Sequence, residues 1–220
     1  MRRGAGILIS LEGCDGCGKS TQARLLCERL LDAGLPIGPA GAPGAVVREP
    51  GGTAVGERIR DVLLHGTDHP EPWTEALLYA AARAELVARV LLPELERGRV
   101  LVLDRFVDSS LAYQGHARAL GLAEVLAVNE PGLRGLLPDL TVLLALDPVV
   151  CMGRLAGSPD RIEAQGLAFQ RRVAEGYELV ARRFPERVRV VDGGRAPGEV
   201  AREIAELALA TIESRTRRQP

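Results

Sequence analysis

Gly13-Cys14-Asp15-Gly16-Cys17-Gly18-Lys19-Ser20 decides how this chain is read. The stretch fits the pattern G-x-x-x-x-G-K-[ST]. Before it, Ile7-Leu8-Ile9-Ser10-Leu11 predicts a buried strand; after it, Thr21-Gln22-Ala23-Arg24-Leu25-Leu26 predicts a helix. A strand, a glycine loop and a helix in that order form a phosphate-binding P-loop. Its glycines let backbone N–H groups turn towards phosphate oxygens, and the helix N-terminus adds positive potential. Residues 13–21 are therefore candidates for holding a nucleotide: Gly13, Cys14, Asp15, Gly16, Cys17, Gly18, Lys19, Ser20 and Thr21. Lys19 would sit between the last two phosphates, and the Ser20 hydroxyl would reach a Mg²⁺ ion. Lys19 is also the only lysine among the 28 Lys and Arg residues. A compact ammonium stands here and nowhere else, and a guanidinium fork is no substitute for it.

The 220 residues are 46% hydrophobic and 26% charged, which suits one α/β domain spanning 1–220. A net charge of −1 favours neither nucleic acid nor a membrane surface as a partner. The basic stretch Arg215-Thr216-Arg217-Arg218 reads as a solvated helix end. No apolar run approaches the roughly 20 residues of a membrane span. Met1-Arg2-Arg3-Gly4 leads straight towards the first strand, with no leader evident. Four cysteines without framework spacing point to the reducing cytoplasm. Cys14 and Cys17 form C-x-x-C inside the loop, with no second Cys or His pair at zinc spacing. They are either two small residues filling the loop or, with Lys19 and a helix N-terminus favouring thiolate, a redox pair able to distort it.

Further strands are expected at 45–48, 100–103, 140–146 and 188–191. Helices are expected at 54–65, 74–97, 107–120, 122–136, 165–183 and 197–215, with another opening near Pro148. The Gly/Pro/Ala segment 34–44 is a loop without evident chemistry. Strands alternating with helices, apolar on both faces, predict a five-stranded parallel sheet with helices on both faces. Ligands in such sheets lie beyond the carboxyl ends of the strands. Those ends carry the P-loop, Glu49-Pro50, Asp104-Arg105 and Asp147. Asp104 is placed to orient Mg²⁺ or simply to end a strand. Arg105 can clamp a second phosphate bidentately or pair with a neighbouring acid. Tyr79 and Arg83, four apart, share a helix face, as do Ser110 and Gln114.

Five segments resemble the thymidylate kinase family: Gly13 to Gln22, Arg48-Glu49-Pro50-Gly51-Gly52-Thr53, Asp104-Arg105-Phe106 with Asp108 to Gly115, Pro138-Asp139-Leu140-Thr141, and Asp160-Arg161-Ile162-Glu163. The resemblance covers nearly the whole chain. It implies a P-loop nucleoside-monophosphate-kinase fold, phosphorylation of dTMP by ATP with Mg²⁺, and a homodimer. It also implies roles. Asp15 would accept a bond from the sugar 3′-OH. Arg105, with Arg60, would hold the acceptor phosphate, and Glu49 would line that side near phosphate and metal. Tyr79 would stack on thymine, Arg83 would donate to its O4, and Ser110 and Gln114 would reach the base edge. Tyr113 would press on the sugar where a 2′-OH would sit.

The resemblance also implies a short lid at about 154–163 that closes over ATP. Some members of that family carry a basic residue inside the P-loop; Asp15-Gly16-Cys17 offers none, so the resemblance implies that the catalytic charge is Arg161 of the lid, with Arg154 as the weaker candidate, facing either phosphate or adenine. Two other readings stay open on these residues: a kinase for another nucleoside monophosphate, and a P-loop ATPase switch without a small-molecule acceptor.

Overall fold

Six consecutive buried residues, Ile7–Glu12, make β1, and everything else is arranged about it. In the computed structural model, residues 6–66, 69–155 and 158–217 are described. The N-terminal residues 1–5, the lid positions Ala156 and Gly157, and Arg218 of the basic tail lie outside them. β1 pairs in parallel with β3 (Val100–Asp104) and with β4 (Leu140–Ala145). β2 (Val47–Arg48) lies outside β3, and β5 (Val188–Asp192) outside β4. The order is β2-β3-β1-β4-β5, a five-stranded parallel sheet as expected.

Alternation along the strands explains the two layers. Ile7, Ile9 and Leu11 join Ala23, Leu26 and Leu30 of α1 (Lys19–Asp32) in one cluster. Leu8, Leu101 and Leu103 point the other way, into Leu86, Leu91, Leu95 and Phe106. Burying each such side chain contributes about 1.5–3 kcal/mol, which is why strands enclosed on both faces are continuous apolar runs. Polar exceptions are matched: Ser10 on β1 and Thr141 on β4 are register partners, with hydroxyls 3.0 Å apart.

The helices follow the expected spans with local changes. α2 is Ala54–Leu64, capped by the Thr53 hydroxyl, which accepts from the Gly56 N–H. The expected helix 74–97 is continuous but not uniform. α3 (Pro72–Leu86) widens into a π turn at Val87–Leu91 before α4 (Leu92–Glu96). Pro93 lacks an N–H, and wider winding just ahead of it accommodates the lost bond. α5 (Val107–Ser110) likewise passes into a π stretch, Leu111–Ala117, that carries Tyr113 and Gln114. α6 (Leu122–Leu133), α7 (Pro148–Gly153), α8 (Gly166–Arg183) and α9 (Pro197–Arg217) complete the set. The 34–44 loop is held rather than free. Ile37 is fully buried and bridges to Val100, and Arg99 donates to the carbonyls of Ile37 and Gly38.

A buried ion pair fixes the start of α5 to the start of β5. Arg187 donates from both terminal nitrogens to Asp108, at 2.6 and 2.7 Å, and also to the Thr141 hydroxyl. Asp108 has no exposed surface. Breaking such a pair from one side leaves an uncompensated buried charge. Arg187→Ala is expected to lower unfolding free energy by about 3–5 kcal/mol, read from urea denaturation. Replacing both partners by apolar residues should cost much less.

Candidate active site

The loop between β1 and α1 has the geometry its sequence predicts. Gly16 has φ +86°, and a Cβ there would lie 2.1 Å from the Cys151 carbonyl oxygen, so only glycine fits. Gly18 has φ +101°, and a Cβ there would meet nothing within 4 Å. That open side is space above the helix N-terminus that an anion can fill. Lys19 is buried; its Nζ donates to the Cys14 carbonyl at 2.8 Å and stands 4.0 Å from Asp15 Oδ1. The Ser20 hydroxyl, exposed at the rim, donates to Asp104 Oδ2 at 2.5 Å.

One cavity of about 720 Å³ runs over these residues. Its middle is lined by Asp15 to Gln22 and Asp104. On one side stand Glu49, Arg60, Tyr79, Arg105, Ser110, Tyr113 and Gln114. On the other stand Arg154, Gly193, Arg195, Pro197 and Val200. The carboxyl ends of β1, β2 and β3 thus bring together most of the side chains expected there.

Arg105 is the densest node. It sits at φ +73°, a left-handed conformation that costs a non-glycine residue roughly 1–2 kcal/mol. Its Nη1 donates to Gly13 O (3.1 Å), Ser109 Oγ (3.0 Å) and the Tyr177 hydroxyl (2.9 Å). Its Nη2 donates to Asp15 Oδ1 and to the Tyr113 hydroxyl (3.1 Å). The Tyr113 hydroxyl in turn donates to Asp15 Oδ2 at 2.8 Å. Burial alone would raise the Asp15 carboxyl, but Arg105, Lys19 and the Tyr113 hydroxyl outweigh it and hold it down at about 2. Asp15 is therefore ionised throughout the neutral range and lies between the two cations.

Two expected contacts differ in this structure. Arg83 does not line the cavity: it is 2% exposed, and its donors are all matched inside the protein. Nε and Nη2 reach Glu49 Oε2 at 2.8 and 2.7 Å. Nη1 reaches Ser110 Oγ and Asn129 Oδ1, and Nη2 also reaches the Phe106 carbonyl. A bond from Arg83 to a base would require giving one of these up. Arg161 is also turned away. Its Nε donates to Leu63 O at 2.6 Å and its Nη2 to Glu75 Oε2 at 2.8 Å, against α2 and α3. Glu75 is the physical reason. It is fully buried and gathers Arg161, Arg118 and the Gln114 amide around one carboxylate. Arg154, at the C-terminal end of α7, is the arginine of the expected lid that lines the cavity.

Further residues complete the picture. Arg60 donates to the Pro50 carbonyl at 3.0 Å. Glu49 Oε2 is held by Arg83, while its Oε1 is buried with no partner among the described residues. Burial keeps the Glu49 carboxyl raised despite Arg83. Burial, with Glu75 nearby, pushes the Tyr79 hydroxyl up. Gly13 and Cys14, expected at the nucleotide, line instead a second cavity of about 650 Å³ behind the loop. The thiolate expectation fails for Cys14. Burial, with Cys151 and Cys17 beside it, pushes its thiol up to about 12 despite Lys19.

Sequence reasoning missed Glu12, Glu75, Ser109 and Tyr177. Glu12 is the one acid in a strand buried on both faces, and that mismatch was its signal. Its carboxyl is pushed up to about 7 by burial and by Asp108, against the bonds it accepts. Glu75 lies on a helix whose spacing resembles any half-buried helix, so nothing marked it.

Comparison with known proteins agrees with this geometry. The profile of the family described as thymidylate kinase matches residues 11–204. A thymidylate kinase from Thermoanaerobacter sp. (strain X514) is 44% identical over 203 residues, 92% of this chain and 97% of that one. One from Clavibacter sepedonicus is 46% identical, over 94% and 96% of the two chains. The crystal structure of thymidylate kinase from Ehrlichia chaffeensis superposes with a TM-score of 0.75 at 26% identity, covering 94% of this chain and 99% of that one.

Proposed function

The chain belongs to the thymidylate kinase family, and from that premise we propose that it transfers the terminal phosphoryl group of ATP to dTMP, giving dTDP for dTTP synthesis. One observation carries the reading: a single cavity has the P-loop cradle at its centre and the Arg105–Asp15–Tyr113 cluster beside it. A donor phosphate and an acceptor phosphate can meet there without moving between sites.

The chemistry asks mainly for two anions held in line with their repulsion screened. Lys19 would exchange its bond to the Cys14 carbonyl for the donor phosphates. Arg105 and Arg60 would hold the acceptor phosphate, and Asp15 would accept from the sugar 3′-OH. Tyr113 would press on the sugar where a 2′-OH would sit. Tyr79 would stack on thymine, with Ser110 and Gln114 at the base edge. Arg83 acts in this reading through Ser110 and Glu49, holding both in place. No general base is required, because an acceptor phosphate oxygen is already ionised.

The donor set also fits Mg²⁺. Ser20 and Asp104 offer two hard oxygens at the cavity wall, and Glu49, one of whose carboxylate oxygens is buried without a partner among the described residues, lines the same cavity. No group of three or more His, Cys, Asp or Glu side chains suited to a metal occurs among the described residues. Phosphate and water oxygens would complete the shell of the ion. Bound with ATP, Mg²⁺ would neutralise charge on the donor phosphates.

Two further readings belong here. The four free cysteines fit a reducing compartment, the cytoplasm. A homodimer is supported by Val55 and Val62 on α2 and Trp73 and Leu77 on α3, all large, apolar and 42–53% exposed.

A coupled assay of ADP release with dTMP, dUMP, UMP and AMP tests the activity. Turnover should be highest with dTMP; a preference for AMP would sink the base-pocket assignment. Arg154→Ala should lower kcat by roughly 10³-fold, the scale of an arginine acting on a transferring phosphoryl group, with little change in KM for dTMP. Arg161→Ala should lower kcat less; the reverse ranking would return the catalytic charge to Arg161. Sedimentation at micromolar concentration should give the mass of two chains, and Val62→Glu should shift it to one.

A further inference from the structure

Glu12 has no exposed surface and does not line the cavity, yet it is tied into the acceptor side by three bonds. Its Oε1 accepts the Phe106 N–H at 2.7 Å, beside the left-handed Arg105. Its Oε2 accepts from the Ser109 hydroxyl at 2.5 Å and from the Tyr177 hydroxyl at 3.0 Å. Those two hydroxyl oxygens also accept from Arg105 Nη1, beside the Gly13 carbonyl.

We propose that Glu12 is a positioning residue for the acceptor phosphate, acting through Ser109 and Tyr177 to set the pose of Arg105. The reason is proton counting. Each hydroxyl has one proton and two lone pairs. While Glu12 is ionised, both protons point at it, and both oxygens offer lone pairs to the guanidinium. When Glu12 carries a proton, one hydroxyl must accept it, and that hydroxyl's own proton turns to the other, since Ser109 Oγ and the Tyr177 hydroxyl are 2.8 Å apart. Arg105 Nη1 keeps its acceptors but loses the negative charge that polarises them, so the guanidinium is held less firmly.

The surroundings make this proton movable near neutral pH. Facing Glu12 are Arg105, Asp108 and Ser109 from the end of β3 and α5, and Tyr177 from α8. Arg187, ahead of β5, is paired with Asp108. Asp15 and Tyr113 lie on the far side of Arg105. Burial and Asp108 raise the Glu12 carboxyl to about 7, while Ser109, Arg105 and the Phe106 N–H pull the other way. An acid raised in this way ionises as pH rises through that value, so Arg105 is best anchored above it and KM for dTMP should fall across that range.

The inference rests on Arg105 holding the acceptor phosphate, and the test separates the two. Initial rates with dTMP varied, and then with ATP varied, would be measured from pH 5.5 to 9. The proteins are the wild-type chain, Glu12→Gln, Tyr177→Phe and Arg105→Ala. Glutamine keeps the acceptor for Phe106 and presents a fixed donor to the hydroxyls, as protonated Glu12 would. Glu12→Gln should raise KM for dTMP about tenfold at pH 8, leave KM for ATP within twofold, and lose the wild-type step near pH 7. The titration of the substrate phosphate, near pH 6, is common to both proteins and cancels in the comparison. Tyr177→Phe, which removes one relay hydroxyl, should raise KM for dTMP in the same direction and serves if Glu12→Gln does not fold. A KM for dTMP within twofold of wild type in both relay variants, or profiles of identical shape, overturns the proposal. If Arg105→Ala raises KM for dTMP while these do not, the positioning role alone fails. If Arg105→Ala is also without effect, the acceptor-phosphate reading fails with it.

Discussion

The Arg105 guanidinium is the constraint on which the site depends. Its backbone is held in a conformation that few non-glycine residues adopt, and the cost is offset by charge-assisted bonds worth roughly 1.5–3 kcal/mol each. Those bonds tie the P-loop carbonyl of Gly13, the Asp15 carboxylate, the Ser109 and Tyr113 hydroxyls and Tyr177 of α8 to one planar group. β1, β3 and α8 therefore cannot shift independently without breaking it. A rigid positive fork at the end of a buried strand is what orienting a phosphate requires.

Asp15 makes the P-loop a seam between two halves of the site. It lies 4.0 Å from Lys19 and is bonded to Arg105, so the cation of each half is steadied by the same carboxylate. Substrate phosphates would compete for both cations, and Asp15 would then be released towards the sugar. A second carboxylate organises the opposite wall. Glu75 holds both Gln114, proposed to reach the base edge, and Arg161, in the expected lid, on one buried charge.

The sheet was legible because its strands are apolar runs separated by helical spacing, and the P-loop because glycine and lysine have few other reasons to stand in that order. The carboxyl-end rule places Glu49, Asp104 and Arg105 together from sequence alone. Arg161 and Arg83 make contacts that their sequence context does not suggest, for a common reason. A linear sequence shows an arginine and its neighbours in the chain, whereas the partner that captures it comes from elsewhere: Glu75 lies 86 positions from Arg161, and Glu49 lies 34 from Arg83. The same distance hid Tyr177, 165 positions from Glu12. Cys14 differs for another reason. Motif and helix terminus favour thiolate, but burial acts against it and is not written in local sequence.

The most direct measurement is a crystal structure with dTMP and a non-hydrolysable ATP analogue bound together. The expected result is the dTMP phosphate on Arg105, its sugar against Asp15 and Tyr113, and the analogue's terminal phosphate at Lys19 and Ser20. A dTMP phosphate bound away from Arg105, or two nucleotides that do not approach each other across the P-loop, would contradict a shared donor–acceptor cavity.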